Sequence, residues 1–252
     1  MQHLPQGTLF LWPDHWQVIG RLMSNRLHKH ISASWLVGLD GDFRLQVDGR
    51  WRTTSAALVA PDVAQSLEPG NTHMWCAQLD PDSRYWRALK HHLKDECTAD
   101  IRVPKACLPA IEEGSCGGIE QAMMTAVEAL GRPPERLDPR VQKICDQLRA
   151  ELPEKVEVQL LADSVGLSSS RLSHLFRQQT GVPLRRFLLH LKMNRVLAHW
   201  EAGKSMSRLA LEAGFYDQPH FVRTAREMFD ALPSEYVTTG WFSVCRCASS
   251  CP

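Results

Sequence analysis

Two histidines at close spacing, His28 and His30, are the first residues in this chain of 252 that could act together as ligands. A closed or catalytic metal site normally takes three or four protein ligands, so two imidazoles alone make a poor one. The sequence therefore assigns no metal and no cofactor. Six tryptophans share the same half of the chain: Trp12, Trp16, Trp35, Trp51, Trp75 and Trp86. Such rings either fill the core of a small β-structure or line its mouth and stack on a small ligand. This makes His28, His30, Trp35, Trp51 and Trp75 candidates for an effector site. A second set lies in the other half: Ser170, Arg171, Ser173, His174, Arg177, Gln178, then Gln218, His220 and Arg223. Short hydroxyls, imidazoles, amides and guanidinium groups can read base edges or grip phosphate. Eleven scattered histidines give no arguable nucleophile–base pair, so the reading is not an enzyme.

The second set has to be positioned by helices. Residues 160–181 (LLADSVGLSSSRLSHLFRQQTG) and 207–229 (SRLALEAGFYDQPHFVRTAREMF) share one layout. Each has a short helix containing an Ala, a Gly at the turn, an apolar residue, a capping residue, and a second helix. In the first, Leu161, Ala162 and Val165 face inward, Gly166 permits the turn and Ser168 caps the next helix. Leu172, Leu175 and Phe176 then point inward and leave the polar set outside. In the second, Leu209, Ala210 and Ala213 face inward, Gly214 turns, Phe215 plugs the core and Asp217 caps. Between them Leu184–Trp200 reads as one helix, about 27 Å long at 1.5 Å per residue. That length can hold two recognition helices near one DNA turn apart, about 34 Å. Arg185, Arg186, Lys192 and Arg195 would meet phosphates on the way. From Ser168 to Arg208 eight basic residues face Glu201 alone, a local basic patch on a chain of net charge +1. Upstream, Asp138-Pro139 reads as a cap with proline at the first helical position, and Val141, Ile144, Cys145 and Leu148 give a helical stripe.

Residues 138–236 resemble the C-terminal DNA-binding domain of the AraC/XylS family of transcriptional regulators. The resemblance rests on Leu161-Ala162, Gly166-Leu167-Ser168, Leu172, Leu175-Phe176-Arg177 and Thr180-Gly181 in the first unit. In the second it rests on Leu209-Ala210, Gly214-Phe215, Asp217-Gln218, His220-Phe221, Arg223, Phe229, Pro233 and Tyr236. It implies seven helices, with two helix–turn–helix units joined by a long helix, and base or backbone contacts at Gln218, His220 and Arg223. Two positions depart from the family. Ala225 stands where a large apolar residue is usual, and Asp230 stands where Gly is usual and would have to be left-handed. Both suggest a second unit that is looser or less specific than the first.

In the N-terminal half, Thr8–Trp12, Trp16–Gly20, Ile31–Leu39, Phe43–Val47, Ala56–Ala60 and His73–Leu79 are strand candidates. Asp48-Gly49 is a tight-hairpin signal. Many short strands with such turns suggest a small barrel or sandwich. The stretch also resembles the cupin-like sensor half of bacterial regulators, through His28-Lys29-His30, LDGDFRLQVDGRW and Ala60–Leu67. Where metal cupins carry a Glu and a later His, this chain has Ser34 or Trp35 and Gln65. Trp86, Leu89 and Leu93 mark a helix-like stripe. A clear helix, Ile119–Leu130, carries apolar residues suited either to dimerisation or to packing on the barrel. Gly131-Arg132-Pro133-Pro134 reads as a linker.

The expected fold is therefore α+β in two domains. Residues 1–131 form a cupin-like β-barrel with flanking helices, serving as sensor or dimerisation domain. Residues 132–138 are a linker, 139–238 an all-α domain of seven helices, and 239–252 a flexible tail. Eight cysteines are present, and the first five are scattered singly, which suits reduced thiols in the cytoplasm. Cys245, Cys247 and Cys251 could hold a soft metal or act as a thiol switch. No apolar run reaches the roughly 20 residues of a membrane span, and no secretory signal is apparent. The expected partners are double-stranded DNA, a small-molecule effector, a second copy of the chain, and RNA polymerase if the protein activates. The competing readings are a metal-dependent cupin enzyme with an accessory helical domain, and a purely architectural helical protein.

Overall fold

The computed structural model describes residues 6–112, 114–199, 205–230 and 242–247. Pro233, Tyr236, Cys251, Glu201, Lys204 and the end of the connecting helix at Trp200 lie outside the described residues.

Nine strands come first: β1 (Gly7–Leu11), β2 (His15–Arg21), β3 (His28–Lys29), β4 (Ala33–Gly38), β5 (Phe43–Val47), β6 (Arg50–Thr54), β7 (Ala56–Val59), β8 (Ala64–Glu68) and β9 (His73–Leu79). The Asp48-Gly49 signal is a two-residue hairpin: Val47 pairs with Arg50, and both turn residues have positive φ, 51° and 71°. Next come α1 (Arg84–Leu89), a 3-10 turn over Lys90–Leu93, β10 (Thr98–Ala99) and α2 (Cys116–Leu130). Ser115 caps α2 by accepting from the Gly118 N–H at 3.0 Å, which starts the helix three residues before the apolar stripe begins.

Hydrogen bonds divide the strands into two sheets. One runs β10-β7-β4-β9-β2-β1 and ends on a strand from the far end of the chain; the other runs β3-β8-β5-β6. The barrel is therefore open rather than closed. Strands β4, β7 and β9 are apolar almost throughout because both of their faces are buried. Leu36, Ala57, Val59, Met74 and Cys76 face the second sheet, while Trp35, Val37, Leu58, Trp75 and Leu79 face α1 and α2. Alternation is present, but it separates two cores instead of core from water. Ile119, Met123 and Ala126 of α2 are fully buried, so its apolar stripe packs on the sheet.

No regular structure lies between Leu130 and Pro139. The helical part then contains α3 (Pro139–Glu151), α4 (Val158–Ser164), α5 (Ser169–Thr180), α6 (Leu184–His199), α7 (Met206–Glu212) and α8 (Gln218–Phe229). Asp138 caps α3 with Pro139 at its first position. One core joins all six, built on Ile144, Leu148, Leu161, Leu172, Phe176, Phe187, Val196, Phe215 and Phe221; Phe176 and Phe187 meet edge to face at 5.3 Å. Ile31, from the strand domain, is part of the same core, so the two domains pack against each other.

The tail departs from the flexible segment expected of it. Phe242–Arg246 forms β11, which pairs parallel with β1 along the edge of the large sheet. Cys247 is disulfide-bonded to Cys116 at the start of α2, across 131 residues, so Cys116 is not the free thiol that its isolation in sequence suggested. Cys76, Cys97, Cys107, Cys145 and Cys245 are free. A five-residue strand whose partner lies 235 residues away leaves no local pattern to read.

Candidate DNA-binding surface and interdomain cavity

The two helix–turn–helix units are α4–α5 and α7–α8. Gly166 and Gly214 take the left-handed turn, at φ 67° and 81°, which a side chain would strain. Ser168 caps α5 by accepting from Arg171 N at 3.3 Å, and Asp217 caps α8 by accepting from His220 N at 2.7 Å. Each unit also carries a serine-to-glutamine hydrogen bond of 2.6 Å between the second residue of its leading helix and the first of its recognition helix. The identities are exchanged: Ser169 donates to Gln159 in one, and Ser207 donates to Gln218 in the other. That bond uses one lone pair of the Gln218 oxygen and turns the rest of the amide, its N–H groups included, to reading a base.

On α5, Ser170, Arg171, Ser173, His174, Arg177 and Gln178 are all exposed along one face. On α8, Gln218 and Arg223 are exposed, and His220 is half-buried with its ring edge-on to Phe215 at 5.5 Å. Arg185 and Arg195 of α6 are exposed as well. Arg186 and Lys192 sit differently. The Arg186 guanidinium bridges Glu227 of α8, at 2.8 Å, and Asp62 of the strand domain. Lys192 is buried, and its ammonium donates to the carbonyls of Glu154, at 2.6 Å, and Gly214. It ties α6 to the turn of the second unit, so the expected phosphate contact at Lys192 gives way to an internal one. Periodicity placed both residues on α6 but could not show that distant acceptors reach them.

Under α6 and α8 lies a cavity of about 150 Å³, open at one side and walled by both sheets. Trp16 and Val18 of β2, Leu36 of β4, Leu67 of β8, Leu197 of α6 and Phe229 of α8 line it, and Phe242 and Val244 of β11 close another wall. Asn25, His28, His30, Gln65 and Gln78 supply its polar groups, and Asn25 Oδ1 is taken by the Leu67 N–H at 2.7 Å. His28 Nε2 and His30 Nε2 are 2.9 Å apart and bond to each other. Burial lowers the pKa of both rings; a backbone bond to Arg26 partly offsets this at His28, and the charges of His28 and His190 add to it at His30. Among the described residues no three His, Cys, Asp or Glu side chains gather as a metal site. The position for a third imidazole is Gln65, which hydrogen-bonds Ser34. The remaining effector candidates lie elsewhere. Trp35 and Trp75 pack on each other at 5.6 Å in the core beneath α1 and α2, and Trp51 is on the outer surface under Arg44.

What holds the domains together has no local signature in the chain. Asp80, at the end of β9, is wholly buried and accepts from His190 Nε2 at 2.6 Å, Asn194 Nδ2 at 3.1 Å and Arg149 Nη1 at 3.1 Å. Nη2 of the same Arg149, on α3, donates to both carboxylate oxygens of Asp82 at 2.7 Å and 2.8 Å. Burial alone would raise the Asp80 pKa, but the charges and hydrogen bonds of His190 and Arg149 outweigh it and hold the carboxyl well below its usual range. At the far end, Asp230 terminates α8 in the left-handed conformation, φ 59°, as its position required. Its carboxylate accepts from Arg26 N at 2.7 Å and Arg26 Nε at 2.9 Å. Ala225 is fully buried in the helical core.

Residues 161–239 match a family model described as a helix-turn-helix domain. The arabinose operon regulatory protein of Escherichia coli is 31% identical over 127 residues, 47% of this chain and 41% of that protein. An uncharacterised helix-turn-helix-type regulator of Staphylococcus aureus is 27% identical over 100 residues, 39% of this chain and 13% of that protein. The chain thus aligns with less than half the length of the curated relatives it matches. Solved structures of ToxT from Vibrio cholerae share the fold of both domains. One superposes with TM-score 0.60 at 9% identity over 90% of this chain and 98% of that one. Another, with an unsaturated fatty acid bound, gives TM-score 0.59 at 10% identity over 95% and 98%. The C-terminal domain is thus similar to AraC-type helix-turn-helix domains.

Proposed function

We propose that the protein is a DNA-binding transcriptional regulator whose strand domain holds a small, mainly apolar effector beneath the second recognition helix. The observation that carries this reading is the double use of the end of α8. Phe229 forms part of the cavity wall and Asp230 grips Arg26, while the same helix presents Gln218 and Arg223 outward. A ligand that alters the contacts of Phe229 therefore changes how α8 is held. A related fold with a fatty acid bound supports the assignment of an apolar effector. On this reading the cavity binds and does not catalyse, and the protein acts in the cytoplasm, where its DNA is.

Ser170, Arg171, Ser173, His174, Arg177 and Gln178 would occupy one major groove and Gln218, His220 and Arg223 the next, with Arg185 on the phosphates between. Arg186 would join them only if its bonds to Asp62 and Glu227 opened. A homodimer, if the operator demands one, would use a surface other than the α2 stripe, which is buried. RNA polymerase would be the partner of an activator. Selection of bound sequences from a random DNA pool tests the reading. Two half-elements about one helical turn apart are expected; no enriched sequence would overturn it.

A further inference from the structure

The hydrogen-bond order around the cavity fixes what its polar end offers a ligand. His28 Nδ1 lies 2.8 Å from the Arg26 carbonyl oxygen, which can only accept, so Nδ1 carries the proton. In a neutral ring His28 Nε2 is then an acceptor. His30 Nε2, 2.9 Å away, must donate to it. That leaves His30 Nδ1 as a bare lone pair. It is buried and has no hydrogen-bond partner among the described residues. Gln65 reaches the same description by another route. Its amide nitrogen donates to Ser34 Oγ at 2.6 Å, and its Oε1 is buried without a partner. Ser34 cannot answer that oxygen, because its one proton goes to Gln78 Oε1 at 3.1 Å. Both residues line the cavity, and no lysine, arginine or carboxylate is among the described residues that do.

An unsatisfied buried acceptor is costly, and two in one apolar cavity are best answered by a donor. A carboxylate would set its own lone pairs against those of His30 and Gln65, with no cation among the described lining residues to neutralise it. We infer that the cavity selects an uncharged ligand with an apolar body and an O–H or N–H head, each proton of which donates to one of the two orphan acceptors, His30 Nδ1 or Gln65 Oε1. This rests on the reading of the cavity as an effector site and names the effector's chemical class. The head is thus of the opposite kind to the carboxylate of an ionised fatty acid. A cavity of this order accommodates one aromatic ring, so a substituted phenol is a suitable probe.

The test is calorimetric titration of the full chain with para-propylphenol, para-propylbenzoate and propylbenzene at about pH 8, where the phenol is neutral and the benzoate ionised. The phenol is expected to bind at least about ten-fold more tightly than either of the others, equivalent to about 1.4 kcal/mol. His30→Phe keeps an aromatic ring and removes the Nδ1 lone pair, but it frees His28 Nε2 as an acceptor in the same cavity; with His28→Phe added both lone pairs are gone, and most of that preference should be lost. Gln65→Met is the second variant, for the case that His30→Phe does not fold, and should reduce the preference in part. Equal binding of the three probes, tighter binding of the benzoate, no binding of any, or a preference untouched in folded variants would each overturn the inference. DNA affinity measured alongside separates the two claims. A phenol preference with unchanged DNA affinity supports the head-group assignment and removes the coupling to α8. A ligand-responsive DNA affinity that follows the benzoate instead overturns the head-group assignment alone.

Discussion

The two helix–turn–helix units are built alike and held differently. Both turn on a left-handed glycine, both cap the recognition helix with a side-chain oxygen, and both carry the exchanged serine–glutamine bond. Yet the first unit ends at Gly181, a residue without a side chain to bind anything, while the second ends at Asp230, which bonds the strand domain. The turn of the second unit is further tied to α6 by Lys192, and α8 packs against β3. The same local grammar thus yields one recognition helix free to meet DNA and one whose placement depends on the other domain. On the proposed reading, an effector in the cavity would act through the second.

The largest effect should come from the anchor that both units share. Asp80 grips α6 at His190 and Asn194, between the units, and α3 through Arg149. Asp80→Asn breaks a buried charge network and leaves Arg149 with only Asp82, which should cost about 3–5 kcal/mol in chemical denaturation. The pH dependence has a definite sign. The Asp80 pKa is depressed in the fold, so its stabilisation is present above the unfolded value, about 3.9, and is lost as pH falls through the folded value. The wild type should lose stability more steeply than Asp80→Asn in acid below about pH 4. Parallel curves would show that the charge of Asp80 is not what anchors the domains.

The next effect tests the asymmetry itself on DNA. Arg177→Ala removes a guanidinium from the free unit and should weaken operator binding about 10- to 100-fold, the range of about 1–3 kcal/mol for a base contact. Arg223→Ala, in the unit held by the strand domain, should cost less than about ten-fold. Quantitative gel shifts at fixed salt compare them. Equal losses would mean that the docked position of α8 is already the reading position. In an Asp80→Asn background the two losses should converge, because the domain that distinguishes the units has been released.

The local grammar was legible in the sequence, and the holding was not. Gly166, Gly214, Ser168, Asp217 and Asp138 are where turn and cap chemistry put them, because each acts on backbone within three residues. The Asp48-Gly49 hairpin was readable for the same reason. Strand β8 is hard to read because Ala64–Glu68 is short and alternates weakly, even though Pro61-Asp62 and Pro69-Gly70 flank it with turn signals. The cavity, the Asp80 cluster, the pairing of β11 with β1 and the Cys116–Cys247 bond all join residues far apart in sequence, and no periodicity encodes such meetings. Trp35 and Trp75 illustrate the limit: residue type marked them as large rings, but only the packing of α1 and α2 decides that they fill a core. Asp230 falls between the two cases. The need for a left-handed end to α8 was visible, and the partner that makes an aspartate useful there was not.

That residue provides the smallest and most selective test. Asp230→Asn keeps a side chain that tolerates the left-handed conformation and removes only the charge that Arg26 meets. The Arg26 side chain is largely exposed, so solvent screens the pair and its loss should cost no more than about 1 kcal/mol of stability. The informative readout is DNA affinity. If the Arg26–Asp230 contact holds α8 away from its best position on the operator, Asp230→Asn should bind a few-fold more tightly, and Arg26→Ala should do the same. Removing a carboxylate near DNA would also raise affinity by a purely electrostatic route, but that gain would vanish at high salt and would not be shared by Arg26→Ala, which deletes a positive charge. A gain common to both variants therefore isolates the docking of the second unit, and tightening by Asp230→Asn alone would assign the effect to charge and leave the two units equal in freedom.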